Sequence, residues 1–234
     1  MLTIIVPVFN EKKFISKIIR KLINLKKIKK QIIIVDDGSS DGTTKILKNS
    51  YLKNKKISKI IFHSHNRGKG AAIRSAQKYI RGQFVAIQDS DLEYNPNDLK
   101  KLYKHIKKNN LKVLYGSRVL GKNKFQNTEN FTHFVRIWAN YFLTVVSNFI
   151  NNQYLTDAHT CYKVFNSKLF KKIQLNENGF AFCPEVTTKI SNLNIDIYEI
   201  PISYNGRTYD QGKKISSFDG LRALYSLIRY KLIG

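Results

Sequence analysis

Cysteine is almost missing from this chain of 234 residues: Cys161 and Cys183 are the only two. No CxxC or HxxxH spacing surrounds them, which excludes a disulfide scaffold and a zinc centre. No secretory signal opens the sequence, so both thiols are expected to be reduced in a cytoplasmic protein. Acid is scarce as well. Sixteen Asp+Glu face 41 Lys+Arg, a formal net charge of +25. Missing too is any uninterrupted apolar run of about 18 residues, the length that spans a bilayer. The nearest, HFVRIWANYFLTVVSNFI at 133–150, is broken by Arg136, Asn140, Ser147 and Asn148. It reads as an amphipathic or core helix. Low-complexity tracts, repeats and linkers are absent, so one domain covers 1–234. Its second half, 121–234, is less regular than its first, 1–120.

What is present is globular: 42% hydrophobic and 24% charged residues. LTIIVPVF (2–9), QIIIVDD (31–37), KIIFH (59–63), FVAIQ (84–88) and VLYGSR (113–118) read as five strands, apolar enough to be buried on both faces. Helical spacing separates them. Phe14, Ile15, Ile18, Ile19, Leu22 and Ile23 form one face, Asp41 caps a helix running through Leu47, and Pro96 opens another. Alternating strands and helices with short connections predict an α/β fold, a Rossmann-like, mostly parallel sheet flanked by helices. Further on, a helix is expected near 133–150, another around 185–193, a strand pair in IDIYEIPISY (195–204) and a terminal helix over 217–232.

Ligands of such sheets bind at the carboxyl ends of the strands. Asn10-Glu11, Asp36-Asp37, Asn66, Asp89 and Arg118 each follow a predicted strand. After the fourth strand Asp89, Asp91 and Glu93 stand at alternate positions in a chain otherwise poor in acid. Neighbouring carboxylates repel unless a cation neutralises them. Oxygen ligands suit Mg²⁺ or Mn²⁺, which keep waters and bridge to substrate phosphates.

VPVFNE, VDDGSSDGT, HNRGKGAAIRSA, QDSDLEY and YGSR, in this order, closely resemble the family 2 glycosyltransferases of the glycosyltransferase-A fold. TDAHTCYKVF, EVTTKI and IPISYNGR extend the resemblance to the polyprenyl-phosphate (dolichyl-phosphate) mannose and glucose synthases, over essentially the whole chain. The resemblance implies that the first half, 1–120, binds the nucleotide and the second, 121–234, the acceptor, and it implies roles for single residues. Pro7, Asn10, Glu11 and Asp37 line the nucleoside pocket. Gly68, Lys69 and Gly70 form a close-approach loop beneath the nucleotide. Asp89 and Asp91 hold metal and ribose. Glu93 is a further ligand where many relatives have Gln. Arg118 and Arg207 face the phosphates of acceptor and donor. The implied reaction is an inverting, metal-dependent transfer of mannose or glucose from GDP-mannose or UDP-glucose to a polyprenyl phosphate.

A phosphate nucleophile is already ionised near neutral pH and needs cations rather than a base, whereas a hydroxyl nucleophile needs one. Basic candidates are Arg118, Lys122, Lys124, Arg136, Arg207, Lys213 and Lys214. A lone histidine such as His159 is more often structural. Asp157 is the better active-site group, orienting the sugar or an arginine, or acting as a base. Extension of a cell-surface glycan on a hydroxyl acceptor is therefore the alternative. Nucleic-acid binding finds no recognition motif, and a dehydrogenase lacks GxGxxG after the first strand. A lipid acceptor also requires a membrane. The chain is expected to work peripherally at its cytoplasmic face, drawn by anionic lipid, or with a separate membrane partner. Trp138, Tyr141, Phe142 and Val145 either face that interface or pack on the sheet or in a dimer.

Overall fold

The computed structural model describes residues 1–121, 131–206 and 217–233, the side chains of 131–136 and 217 apart. Strand β1 (Leu2–Val8) is buried along its whole length, as an apolar strand flanked on both sides must be. Helix α1 (Ile15–Ile23) buries Ile15, Ile18, Ile19 and Leu22, the face its spacing predicts. Then come β2 (Lys30–Asp36), a short α2 (Thr43–Ile46) continuing as a π-turn (Leu47–Tyr51), β3 (Lys59–Phe62), α3 (Lys69–Gln77) and β4 (Phe84–Ile87). Helix α4 (Pro96–Lys108) starts where expected: the Asn95 side chain accepts from the Asn97 N–H and proline fills the first turn. The remainder is β5 (Val113–Ser117), α5 (Phe131–Asn151), β6 (Lys163–Asn166), α6 (Ser167–Lys172), α7 (Phe182–Asn192), β7 (Tyr198–Pro201) and α8 (Ser217–Ile233).

The seven strands form one sheet in the order β3-β2-β1-β4-β6-β5-β7. All pairs are parallel except those of β6, which runs antiparallel to both β4 and β5. Two expectations change here. The KVF of TDAHTCYKVF is a central strand, too short to announce itself by period. IDIYEIPISY supplies one edge strand rather than a pair; Tyr204 makes only an isolated bridge to Tyr94. The antiparallel strand has a consequence for the site. A strand that runs against its neighbours begins where they end, so the residues entering β6 (157–162) arrive at the carboxyl edge.

Strand order reverses at β1, with β2 and β3 on one side and β4 on the other. Pairing of β1 with β4 ends at Ile5↔Ile87, closed by the Gln88 N–H donating to the Ile5 carbonyl at 2.9 Å. The β1–β2 ladder continues to Val8, whose carbonyl accepts from Asp37 N–H. Pro7 therefore turns its missing donor to the side where the ladder has already stopped, which is how a proline fits an interior strand. The sheet opens between β1 and β4 at the point where an open α/β sheet places its ligand crevice.

Candidate active site

On the β1–β2 side of the crevice the loops are tied to one another. Asn10, at φ +50°, accepts from the Ser40 N–H at 2.8 Å, and its own N–H donates to Ser39 Oγ. The Glu11 N–H donates to Thr43 Oγ1 and the Lys12 N–H to Asp41 Oδ2. Asp37 is buried. Its carboxylate accepts from the N–H groups of Arg67 (3.0 Å) and Gly68 (2.7 Å) and meets His63 Nδ1 at 2.6 Å, while His63 Nε2 meets Ser75 Oγ at 2.9 Å. Asp37 thus anchors the glycine loop.

The glycines of that loop are required by another part of the chain. Gly68 has φ +97°, and a Cβ there would lie 2.3 Å from the Asn178 carbonyl oxygen; one on Gly70 would lie 2.2 Å from that of Glu177. The 175–178 backbone is held in place from both sides. Arg74 donates to the carbonyls of Leu175, Asn176 and Glu177, and the Glu185 carboxylate accepts from the N–H groups of Asn176 and Glu177 and from Lys189 Nζ.

Beyond β4 the three acids have different partners. Leu92 takes φ +64°, uncommon for a branched side chain and a sign of a forced turn. It breaks the alternation that would have kept Asp91 and Glu93 on one face. Asp89 Oδ1 pairs with Lys69 Nζ at 2.5 Å. Asp91 Oδ1 accepts from the Glu93 N–H at 3.1 Å. Glu93 Oε2 accepts from the Tyr204 hydroxyl at 2.8 Å, tying this loop to the segment after β7. Among the described residues no three His, Cys, Asp or Glu side chains gather as a metal-binding group. Lys69 is the cation already at this edge. Burial alone would depress its ammonium, but the Asp89 carboxylate outweighs that and holds it well above the usual lysine range.

Arg118 follows β5 and meets Asp157 from the turn before β6. The guanidinium is bidentate, Nε to Oδ2 and Nη2 to Oδ1, both at 2.7 Å, and the Arg118 N–H adds a third bond to Oδ2 at 3.1 Å. Asn140 of α5 donates to Oδ1 at 3.3 Å. Asp157 is fully buried. Burial opposes its charge, yet Arg118 holds the carboxyl below the usual range. Glu199 of β7 fixes the turn, accepting from the N–H groups of Thr156 (2.6 Å) and Asp157 (3.0 Å). Arg118 lies over the Tyr204 ring at 5.1 Å, Tyr204 packs on Tyr94, and Tyr94 packs on Tyr162. The Tyr94 hydroxyl accepts from the Cys161 N–H, and the Cys161 thiol receives Lys69 Nζ at 3.3 Å. One connected network therefore joins Arg118 to Lys69 and Asp89.

Asp89, Lys69, Arg118 and Asp157 come together at this edge. Asp37, Gly68 and Gly70 serve the loop beside it, and Pro7 lies inside β1. Arg207, Lys122, Lys124, Lys213 and Lys214 lie outside the described residues, as does the side chain of Arg136. His159 holds its Nε2 buried without a hydrogen-bond partner, and burial pushes its imidazole down to about 4. Tyr94, Tyr204, Glu185 and Glu199 escaped sequence reasoning. Tyr94, Glu185 and Tyr204 stand within the quoted motifs QDSDLEY, EVTTKI and IPISYNGR, and Glu199 within an apolar strand, but nothing in the pattern says which residues they meet.

Residues 3–174 match the profile of glycosyl transferase family 2. The chain is 26% identical over 248 residues to a UDP-N-acetylglucosamine–dolichyl-phosphate N-acetylglucosaminyltransferase of Methanococcus voltae, covering 99% of this chain and 96% of that one. It is 29% identical over 245 residues to the dolichyl-phosphate beta-glucosyltransferase of Saccharomyces cerevisiae, covering 97% and 73%. Among solved structures, a Mycobacterium tuberculosis glucosyl-3-phosphoglycerate synthase with Mn²⁺, UDP and glucosyl-3-phosphoglycerate superposes with a TM-score of 0.70 at 13% identity, covering 100% of this chain and 81% of that one. The shared arrangement is the glycosyltransferase-A fold.

Proposed function

This chain belongs to glycosyl transferase family 2, and from that premise we propose that it moves a hexose from a nucleotide sugar to a polyprenyl phosphate at the cytoplasmic face of a membrane. The observation that carries the acceptor is the Arg118–Asp157 pair. Asp157 is the residue whose sequence context leaves a base role open, yet both its oxygens are bound by Arg118 and its charge is held by that contact. A carboxylate so engaged is a poor proton acceptor; it is a positioning residue that fixes a guanidinium. A fixed guanidinium suits a phosphate, which it meets with paired N–H donors. The dolichyl-phosphate acceptors named for the two relatives support the same reading.

On the donor side, the crevice between β1 and β4 takes the nucleoside among Pro7, Asn10 and Glu11, over the loop that Asp37 pins. Asp89 and Asp91 would hold a divalent cation, since such ions need only one or two protein carboxylates, with Lys69 beside Asp89 as a further positive group. When bound, Mg²⁺ or Mn²⁺ supplies neutralising charge to the departing diphosphate. Glu93 does not belong to that pair in this reading, since Tyr204 claims its carboxylate. Lys69 adds a second positive group at the leaving side, and Arg118 orients the incoming phosphate oxygen towards the anomeric carbon. Arg207 is assigned to the donor phosphates on its motif alone.

The test is direct. Purified protein is incubated with Mn²⁺, a short polyprenyl phosphate and, separately, GDP-mannose, UDP-glucose and UDP-N-acetylglucosamine, and glycolipid is read by mass spectrometry. Product from one donor, lost on chelation and in Asp91→Ala, is expected. No glycolipid from any donor, with sugar appearing on a hydroxyl acceptor instead, would sink the lipid-phosphate reading.

A further inference from the structure

Helix α3 takes its cap from backbone. Gly68 stands at its N-cap, and no side chain among the described residues bonds there. The first N–H groups of a helix need an acceptor from outside it. Here the Ala71 N–H donates to the Asn178 carbonyl at 3.1 Å. Lys69 is the first residue of that turn, so whatever fixes 177–178 also fixes the root of the side chain that meets Asp89. The described segment 174–178 lies outside every helix and strand and has to be held by its neighbours. Arg74 and Glu185 clamp it from α3 and α7. A third contact comes from the inner side of α8. Tyr230 is buried, and its hydroxyl donates to Glu177 Oε1 at 2.9 Å across 53 positions. Its ring centre lies 4.3 Å from Lys189 Nζ, the same ammonium that binds Glu185. Its carbonyl accepts from Asn192 Nδ2 at 2.9 Å, and one turn earlier the Ser226 hydroxyl donates to the Ala181 carbonyl at 3.4 Å. Tyr230 is thus held by α7 before it reaches Glu177, and its hydroxyl is a fixed point.

We propose that Tyr230 is a positioning residue for the nucleotide-sugar donor: through Glu177 it sets the backbone that caps α3, and with it the Gly68–Gly70 loop and the reach of Lys69. The proposal rests on the donor reading above, in which the nucleotide lies over that loop. The contact between the two segments is stiff. A Cβ on Gly70 would lie 2.2 Å from the Glu177 carbonyl oxygen, so the two backbones leave no room between them and move together. Interiors packed this closely transmit a displacement instead of absorbing it. The bond from Tyr230 is made to a carboxylate, which makes it stronger and more directional than one between neutral groups. Tyr230 acts at one remove, since its partner is the Glu177 side chain and the Glu177 backbone meets the loop. The effect should fall on the donor and spare the acceptor, because Arg118 takes its own support from Asp157, whose turn Glu199 fixes.

The variants that test this are Tyr230→Phe, Glu177→Ala, the two together, and Glu177→Gln. The first keeps the ring and its contact with Lys189 and removes only the hydroxyl; the last keeps an acceptor for that hydroxyl. Two measurements are made on the purified full chain: hydrogen exchange over 66–74 with no nucleotide present, and calorimetric binding of UDP and of GDP with Mn²⁺. Tyr230→Phe and Glu177→Ala are each expected to speed exchange over 66–74 and to weaken nucleotide binding by about threefold to tenfold. The double variant should match the single ones, and Glu177→Gln should stay within about twofold of the parent. In turnover the KM for donor should rise with the KM for acceptor unchanged, a split that a general loosening of the fold would not give. Unchanged exchange and unchanged nucleotide binding in Tyr230→Phe overturn the proposal. So do additive losses in the double variant, or an equal rise in both KM values. A parent that binds neither nucleotide, with the loop still loosened by Tyr230→Phe, refutes the donor reading and leaves the positioning of the loop. Nucleotide bound equally by the parent and every variant does the reverse.

Discussion

The two halves of the molecule share one apolar core and differ in how they place polar residues around it. From β1 to β5 the strands are mainly apolar, with Thr3 and Gln31 bonded to each other inside, and other polar groups collect in the loops at one edge, where Asn10, Asp37 and Asp41 bond to backbone of neighbouring loops. From α5 onwards polar and charged side chains go inside. Asp157, Lys163, Glu185, Thr187 and Thr188 are fully buried, and large apolar side chains of α5 and α8 stay outside. A loop edge holds a soluble ligand with little demand on the core. Most of the buried polar side chains of the second half are satisfied by hydrogen bonds, Asn151 Oδ1, His159 Nε2 and Ser167 Oγ excepted among the described residues. Lys163 illustrates this: its ammonium donates to the Ala158 carbonyl at 2.7 Å and lies 3.7 Å from the Tyr115 ring.

The strongest way to break this contrast is Asp157→Ala. It would leave the Arg118 guanidinium uncompensated, and removal of one partner from a buried pair destabilises by about 3–5 kcal/mol. Denaturant unfolding should register that loss, and Arg118→Lys should raise the KM for acceptor far more than that for donor. In the first half the matching substitution is Asp89→Asn. Loss of a pre-placed electrostatic group at the leaving side should lower kcat by about 10²–10³, with folding largely kept, as circular dichroism would report.

Gly68→Ala sharpens the comparison at the seam between the halves. A positive φ and a Cβ 2.3 Å from the Asn178 oxygen should destabilise by about 2–4 kcal/mol. Gly179→Ala, where nothing lies within 4 Å of the new atom, should leave the melting temperature unchanged. The most gradual effect is the pH response of His159. Burial keeps its ring neutral in the folded chain, so the unfolded chain takes the proton first. Stability is whole above the usual 6.5 and falls as pH drops towards about 4, by at most roughly 3 kcal/mol. Melting curves across that window should flatten in His159→Gln; an unchanged slope would assign the response elsewhere.

By itself the sequence determined the first five strands, the helices between them and the edge at which Asp89 and Arg118 sit, because apolar period and turn residues are local and each strand reports its own end. It also determined the family, through motifs carried by consecutive residues. The tertiary structure decided what those residues face. Leu92 at positive φ breaks the alternation through Asp91 and Glu93, and a four-residue antiparallel strand brings Asp157 to Arg118 across 39 positions. Gly68 and Gly70 meet residues more than a hundred positions away. The apolar side of 133–150 is visible in its spacing, but whether that side or the polar one packs inward depends on partners such as Ala158 and Thr188, which lie on other elements. Period fixes which residues share a face; only the neighbours available to that face fix whether it is buried.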